Sequence, residues 1–375
     1  MSKVEKIVSE ILNNIKNDGI AAVKKYNKQF DKYEGALRVT RKEIEASENI
    51  SPEVKNAIHK MIKRIEKFHR LETENNIFLT ENGSFLGIMV KPINRIGIYV
   101  PGGKPLPSSL IMSAIPAIIA GVKEIVVATP PKNNELDKNI LYTAKILGIT
   151  EIYKIGGAHA IGAMAYGAGM KKVDKIVGPG NQFVAEAKRQ VFGICGIDKI
   201  AGPSEICIIA DETANYKLVK SDIEAQLEHG EGTKAYLLTT STEIYKKIRV
   251  RGVIKKIFKT TTECIEESNR IAPEHLEILT KDALSLLSLV ENAGAVYFGE
   301  NTPVAAGDYF IGTNHVLPTG GTARFSSALG VWDFVKRISI ANLSRMDYIE
   351  NRYIGIKMAD IEGLEKHKKS LEVRE

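Results

Sequence analysis

From Ile96 to Thr239 the chain repeats one pattern: a short apolar run, a turn, then a helical stretch. The runs are IGIYV from Ile96, EIVVAT from Glu124, EIYKI from Glu151, KIVG from Lys175, ICIIA from Ile206 and AYLLT from Ala235. Helical patterns over 108–121, 135–147, 159–168, 181–192 and 213–229 lie between them. Continuous aliphatic runs suit strands buried on both faces, and parallel strands need long crossovers, here the helices. The pattern predicts βαβ units and a mostly parallel sheet covered on both sides. It runs longer than one doubly wound domain needs, so two sheets are expected within 375 residues.

The flanks read differently. Val4, Ile7, Val8, Ile11, Leu12 and Ile15 form one helical stripe that Gly19 is placed to end. Thr40 and Glu43 make a capping box, and Ser51-Pro52 opens a helix to about Leu71. His59 and His69 fall in that helix and are expected on its surface. Strand-like runs follow at Ile77–Thr80 and Phe85–Lys91, and a helix is expected near Ser327–Arg337 before a charged tail.

Composition excludes several chemistries. The net charge is +7, but the basic residues are scattered without the clusters of a nucleic-acid footprint. Cys195, Cys207 and Cys264 form no C-x-x-C pair, which removes zinc ribbons and thiolate clusters. A metal would have to take histidine, carboxylate or amide ligands from a chain with seven histidines. The most apolar window, Ser108 to Val122, is interrupted by Pro116 and too short to span a bilayer. The N-terminus has no apolar signal-peptide core, so a cytoplasmic protein is expected.

Three glycine-rich turns follow strands: PGG at 101–103, GG at 156–157 and GPGN at 178–181. None matches G-x-G-x-x-G, yet three at equivalent strand ends favour a nucleotide or phosphate site over plain turns. Gln226 and His229 lie three apart at a helix end and can face one centre, though from this fragment alone a capped, solvated end is the better reading. Glu274 and His275 are adjacent after Pro273, as a proton-transfer pair or as part of a surface loop. If that segment is a strand, Glu277 shares a face with His275. The weakly periodic stretch 305–321 offers Asp308 and His315 as ligands or bases. Glu362 and His367, five apart, cannot share a helix face unless the chain bends, with Gly363 placed to bend it.

These segments together resemble the histidinol dehydrogenase family, over nearly the whole chain. The resemblance rests on IGIYVPGG, KIVGPGNQFVAEAKRQVFG, IAGPSEICIIAD, AQLEHG, APEHLEI, AAGDYFIGTNHVLPTGGTARF and EGLEKH. It implies two NAD-linked oxidations, of L-histidinol to L-histidinaldehyde and of that aldehyde to L-histidine. One zinc ion per site would be held by Gln226, His229, Asp308 and His367. Glu274 would activate water and His275 would take the alcohol proton. Ser204, His275, Asp308 and Glu362 would contact substrate, beside the metal ligands Gln226, His229 and His367; Tyr99, His159 and Asn181 would contact NAD.

The resemblance also implies a fold of two Rossmann-like sheets, the second domain inserted into the first. Residues 1–98 and 206–329 would form the first domain, 99–205 the inserted NAD-binding domain, and 330–375 a dimerisation tail. That tail would cross to complete the partner's site in a homodimer, with neither nucleic acid nor membrane as a partner. The chain departs from the family in having His159 where glutamine is usual, and in shorter stretches at the N-terminus and between Gly230 and Ile271. Two other readings carry less of the sequence. An enzyme that keeps the fold, zinc and NAD but oxidises another small alcohol is disfavoured by the Glu362 and His367 tail and the Glu274-His275 pair. A non-redox nucleotide-binding protein leaves the separated Gln, His, Asp and His positions unexplained.

Overall fold

The computed structural model describes residues 1–374 apart from 201, 229 and 231. Contacts divide the chain into two units, Met1–Glu72 with Ile93–Phe334, and Thr73–Pro92 with Val335–Glu375. Strands are numbered along the chain: β1 (Ile77–Glu81), β2 (Ser84–Pro92), β3 (Arg95–Tyr99), β4 (Glu124–Thr129), β5 (Glu151–Lys154), β6 (Lys175–Val177), β7 (Gly196–Ile197), β8 (Glu205–Ala210), β9 (Lys234–Thr239), β10 (Val253–Ile257), β11 (His275–Leu279), β12 (Ala295–Phe298) and β13 (Val335–Asn342).

The first unit holds two five-stranded sheets, in orders β5-β4-β3-β6-β7 and β10-β9-β8-β11-β12. Every pairing in both is parallel. Each sheet winds outward from its first strand and then reverses, so each has a switch point, between β3 and β6 and between β8 and β11. β3 and β8 are buried along their whole length, as strands covered on both faces must be. At the start of the first sheet the buried Arg95 ties three strands together. Its guanidinium bonds Glu124 at 2.6 Å and Glu151 at 2.7 Å, the residues that open β4 and β5. The helix Lys3–Asp18, with the expected stripe inward, packs on the helices Gly157–Tyr166 and Gln182–Val191.

The second unit is a three-stranded antiparallel sheet, β1-β2-β13, followed by the helices Arg345–Ile361 and Glu365–Glu372. Asn82 and Gly83, both at positive φ, make the tight turn from β1 to β2. The helix expected near Ser327–Arg337 is not formed: a 3-10 turn at Val331–Phe334 leads directly into β13. The run VKRISIAN pairs with β2 over all eight residues, and that ladder outweighs a weak local helical pattern. The surface placement of His69 also fails. Its side chain is 0% exposed, with Nδ1 2.7 Å from Glu72 and Nε2 3.2 Å from the Asn314 amide. Periodicity along one helix does not register the loop that covers it.

Gly178, just after β6, is the tightest backbone approach near the first switch point. It has φ +116°, and a Cβ there would stand 2.1 Å from the Tyr99 carbonyl oxygen. Gly178→Ala should therefore lower stability by at least about 2 kcal/mol, from left-handed strain plus displaced backbone. Urea denaturation of the full chain checks this, and an unchanged midpoint refutes it.

Candidate functional site

At the C-terminal ends of the first sheet, the glycine turns are held by buried side chains. Tyr99 ends β3, and its hydroxyl accepts the Gly157 N–H at 3.0 Å. Burial, aided by the nearby Asp31 charge, pushes the Tyr99 phenol up to about 12, so it stays neutral. Asp31 Oδ2 accepts the Gly156 N–H at 3.0 Å and also meets His159 Nε2 at 3.0 Å. His159 Nε2 lies 2.9 Å from Asn27 Oδ1 as well, and the ring is buried. Tyr99 and His159 thus fix the Gly156-Gly157 turn, one directly and one through Asp31. Asn181 is exposed at the N-cap of Gln182–Val191, its Oδ1 accepting from Phe183 and Val184 at 3.1 Å each. A cleft of ≈ 320 Å³ opens at the same sheet edge, lined among others by Gly102, Gly103, Lys104, Pro130, Lys132 and Asp137.

The acid and imidazole lie at the opposite kind of edge, the N-terminal starts of β8 and β11 in the second sheet. Ser204 precedes β8 and Glu274 precedes β11, whose first residue is His275. The Ser204 hydroxyl donates to Glu274 Oε2, and the Glu205 N–H donates to the same oxygen at 2.9 Å. His275 Nδ1 is 3.0 Å from the Glu205 carbonyl oxygen and 3.6 Å from Glu274 Oε2. Donation to that carbonyl puts the proton on Nδ1 and the basic lone pair on Nε2. Glu274 and His275 are both buried, not on a surface loop. Ala272 at φ +53° turns the chain out of the preceding helix, and Gly294 lets its neighbour approach, since a Cβ there would meet the Glu274 carbonyl at 2.6 Å. One carboxylate and one imidazole are thus aimed by a shared strand start.

A sequence model of the family described as histidinol dehydrogenase matches residues 1–375. The chain belongs to the histidinol dehydrogenase family. The histidinol dehydrogenase of Thermococcus kodakarensis is 52% identical over 375 residues, 100% of both chains. That of Thermotoga maritima is 43% identical, over 100% of this chain and 94% of its own. The crystal structure of histidinol dehydrogenase from Elizabethkingia anophelis superposes with a TM-score of 0.95 at 36% identity, covering 100% of this chain and 92% of that one. Membership makes the protein an oxidoreductase of histidine biosynthesis, acting on the small molecule histidinol.

The other family-matched positions are distributed over both units. Gln226 is 2% exposed in the last turn of the helix Tyr216–Leu227, and His229 lies outside the described residues. Asp308 sits on a short helix, Val304–Tyr309, within the stretch read from sequence as aperiodic; His315 Nδ1 is 3.8 Å from its carboxylate and 3.2 Å from its carbonyl oxygen. Gly307 precedes Asp308 against the buried Tyr297, whose hydroxyl would be 2.3 Å from a Cβ. Glu362 and His367 are exposed in the second unit, separated by the expected bend at Gly363, φ +69°. Among the described residues no three His, Cys, Asp or Glu side chains gather as a metal site.

Sequence reasoning passed over a second acidic pair. Glu277 shares strand β11 with His275, as the two-residue spacing requires, and is 1% exposed. Burial and the facing Asp222 carboxyl raise its pKa from the ordinary 4.5 to about 9. Asp222 is raised too, first by burial, and the pair shares a proton. Only the four-residue spacing of Asp222 and Gln226 on one helix face hints at this in the sequence. Because the folded chain holds a proton on Glu277 that the unfolded chain has released, this contribution is complete below about 4.5 and is lost as pH rises toward 9. Glu277→Gln should flatten the decline in urea midpoint across that window; an equally steep decline in the variant refutes the assignment.

Proposed function

We propose that the chain carries out both NAD-linked oxidations, L-histidinol to L-histidinaldehyde and the aldehyde to L-histidine, with one zinc ion per site, in a cytoplasmic homodimer. The observation that carries this reading is the Ser204–Glu274–His275 cluster, which supplies a carboxylate base and an imidazole base at adjacent positions. In the first oxidation His275 Nε2 takes the alcohol proton as the carbinol hydrogen leaves as hydride. In the second, Glu274 takes a proton from water as its oxygen bonds to the aldehyde carbon, and the hydrate then gives up the second hydride. Ser204 orients Glu274 throughout. The burial of this cluster keeps bulk water from competing with the single water that reacts.

The donor set suits the ion: Gln226 amide, His229 and His367 imidazoles and Asp308 carboxylate are the nitrogen and oxygen ligands zinc accepts. Bound there, zinc would fix the amino and imidazole groups of the substrate, while NAD would accept the hydrides. The fit for NAD rests on the Gly178 approach, where any side chain would clash, and on the helix N-termini after the Gly156-Gly157 and Gly178–Asn181 turns. Tyr99, His159 and Asn181 would shape that end of the site. Ser204, Asp308 and Glu362 would complete the substrate contacts. Exposed apolar side chains in the second unit, among them Ile77, Phe78, Ile349, Tyr353, Ile354 and Ile361, suit a subunit interface.

The test is NADH formation from L-histidinol with and without a chelator, counted per histidine formed: two NADH per product and loss on chelation are expected. Glu274→Gln should slow the aldehyde half-reaction by about 100-fold or more and spare alcohol oxidation, consistent with loss of a general base. Equal loss in both half-reactions rules out the role. His367→Ala should release zinc, and mixing it with a His229→Ala subunit should restore part of the activity, since such a dimer has one intact site. Verified mixed dimers without activity would exclude an exchanged tail.

A further inference from the structure

A buried ion pair behind the Gly178–Asn181 turn has no part in the chemistry above. Lys188 and Asp198 have side chains 2% and 1% exposed and form a direct salt bridge. Lys188 Nζ donates to the Gly178 carbonyl oxygen at 2.9 Å, and Asp198 Oδ2 accepts the Gly178 N–H at 2.8 Å. The pair therefore grips both polar groups of one glycine and closes a ring through it. Asp198 Oδ1 also accepts the Lys199 N–H at 2.7 Å. Lys188 lies on Gln182–Val191, the helix that Asn181 caps.

Burying two charges is costly, and apolar residues of similar size would stabilise a fold as well or better. A pair kept in such a place, with its hydrogen bonds spent on one loop residue, has a positioning role as its economical explanation. At Gly178 any Cβ would also clash, at 2.1 Å from the Tyr99 carbonyl oxygen. We propose that Lys188 and Asp198 are positioning residues for the cofactor, holding the Gly178–Asn181 turn in the shape that receives NAD. This rests on the NAD reading above.

The test measures NAD binding directly, by calorimetry on the full-length, zinc-loaded protein, beside histidinol binding without NAD. Lys188→Met should raise the Kd for NAD by at least about tenfold, as expected for losing a buried charged hydrogen bond. Histidinol affinity should stay at the wild-type value. Combining Lys188→Met with Asn181→Ala should cost less than the sum of the two, because both act on one turn. If the lone Asp198 charge prevents folding, Lys188→Met/Asp198→Asn leaves no unpaired charge and should show the same weakened NAD binding. A folded variant with wild-type NAD affinity overturns the proposal, as does full additivity with Asn181→Ala. Wild-type hydrogen exchange needs no variant: protection over 178–188 should rise on adding NAD, and no change there also overturns it. Wild-type protein that binds no NAD would instead refute the cofactor reading itself, and this inference with it.

Discussion

The arrangement of the proposed site depends on one short connection. β7 ends at Ile197 at the C-terminal edge of the first sheet, and β8 begins at Glu205 at the N-terminal edge of the second. The seven residues between, eight Cα steps, can span no more than about 29 Å, which limits how far apart these opposite edges of the two sheets can lie. An ordinary open α/β sheet uses only the C-terminal edge, where helix N-termini point at the ligand. In the proposed site that edge would supply the glycine turns, and the N-terminal edge of the other sheet would supply Ser204, Glu274 and His275. The connection is pinned on both sides: Gly202 N–H donates to Thr319 Oγ1 at 2.6 Å, and Lys199 Nζ donates to the carbonyls of Val316 at 3.1 Å and Ser327 at 2.6 Å.

The second sheet shows how environment separates like residues. Glu274 and Glu277 are three positions apart and both buried. Glu274 accepts from a hydroxyl and a backbone N–H on one oxygen, the pattern of a carboxylate acting as acceptor. Glu277 faces another carboxyl, and burial keeps it neutral. The same side-chain type is therefore an acceptor at the strand start and an acid within the strand. Environment alone thus sets different hydrogen-bonding states for one residue type.

Much of this was legible in the residues. The aliphatic runs from Ile96 to Thr239 all form strands, because a strand buried on both faces leaves a continuous apolar signature in the sequence. The box at Thr40 and Glu43 and the bend at Gly363 are local devices with local signals. What depended on tertiary contact was not legible. β13 draws its stability from β2, far away in sequence, and the burial of His69 comes from the loop carrying Asn314. In the sequence Lys188 is one lysine of a helical stretch and Asp198 one residue of a loop, with no local signal of burial. Their pairing appears only when the sheet brings them together. The candidate residues were legible as residue types, but the sheet edge on which each sits was not.

Glu362 and His367 make the same point about geometry. On one continuous helix, five residues turn the side chains about 140° apart, so they could not serve one centre. Gly363 in the left-handed region ends the first helix and releases the second from that phase relation. An eight-residue helix is too short to persist alone in water, so the second must be held by the first. The Tyr348 hydroxyl donates to the Leu371 carbonyl, Lys368 Nζ meets Asp360 at 2.6 Å, and Gly355 leaves room for the Leu371 side chain. The break therefore buys freedom of direction without loss of order. Five-residue spacing that would be a defect in a helix becomes, across a braced corner, a way to fix two polar groups independently.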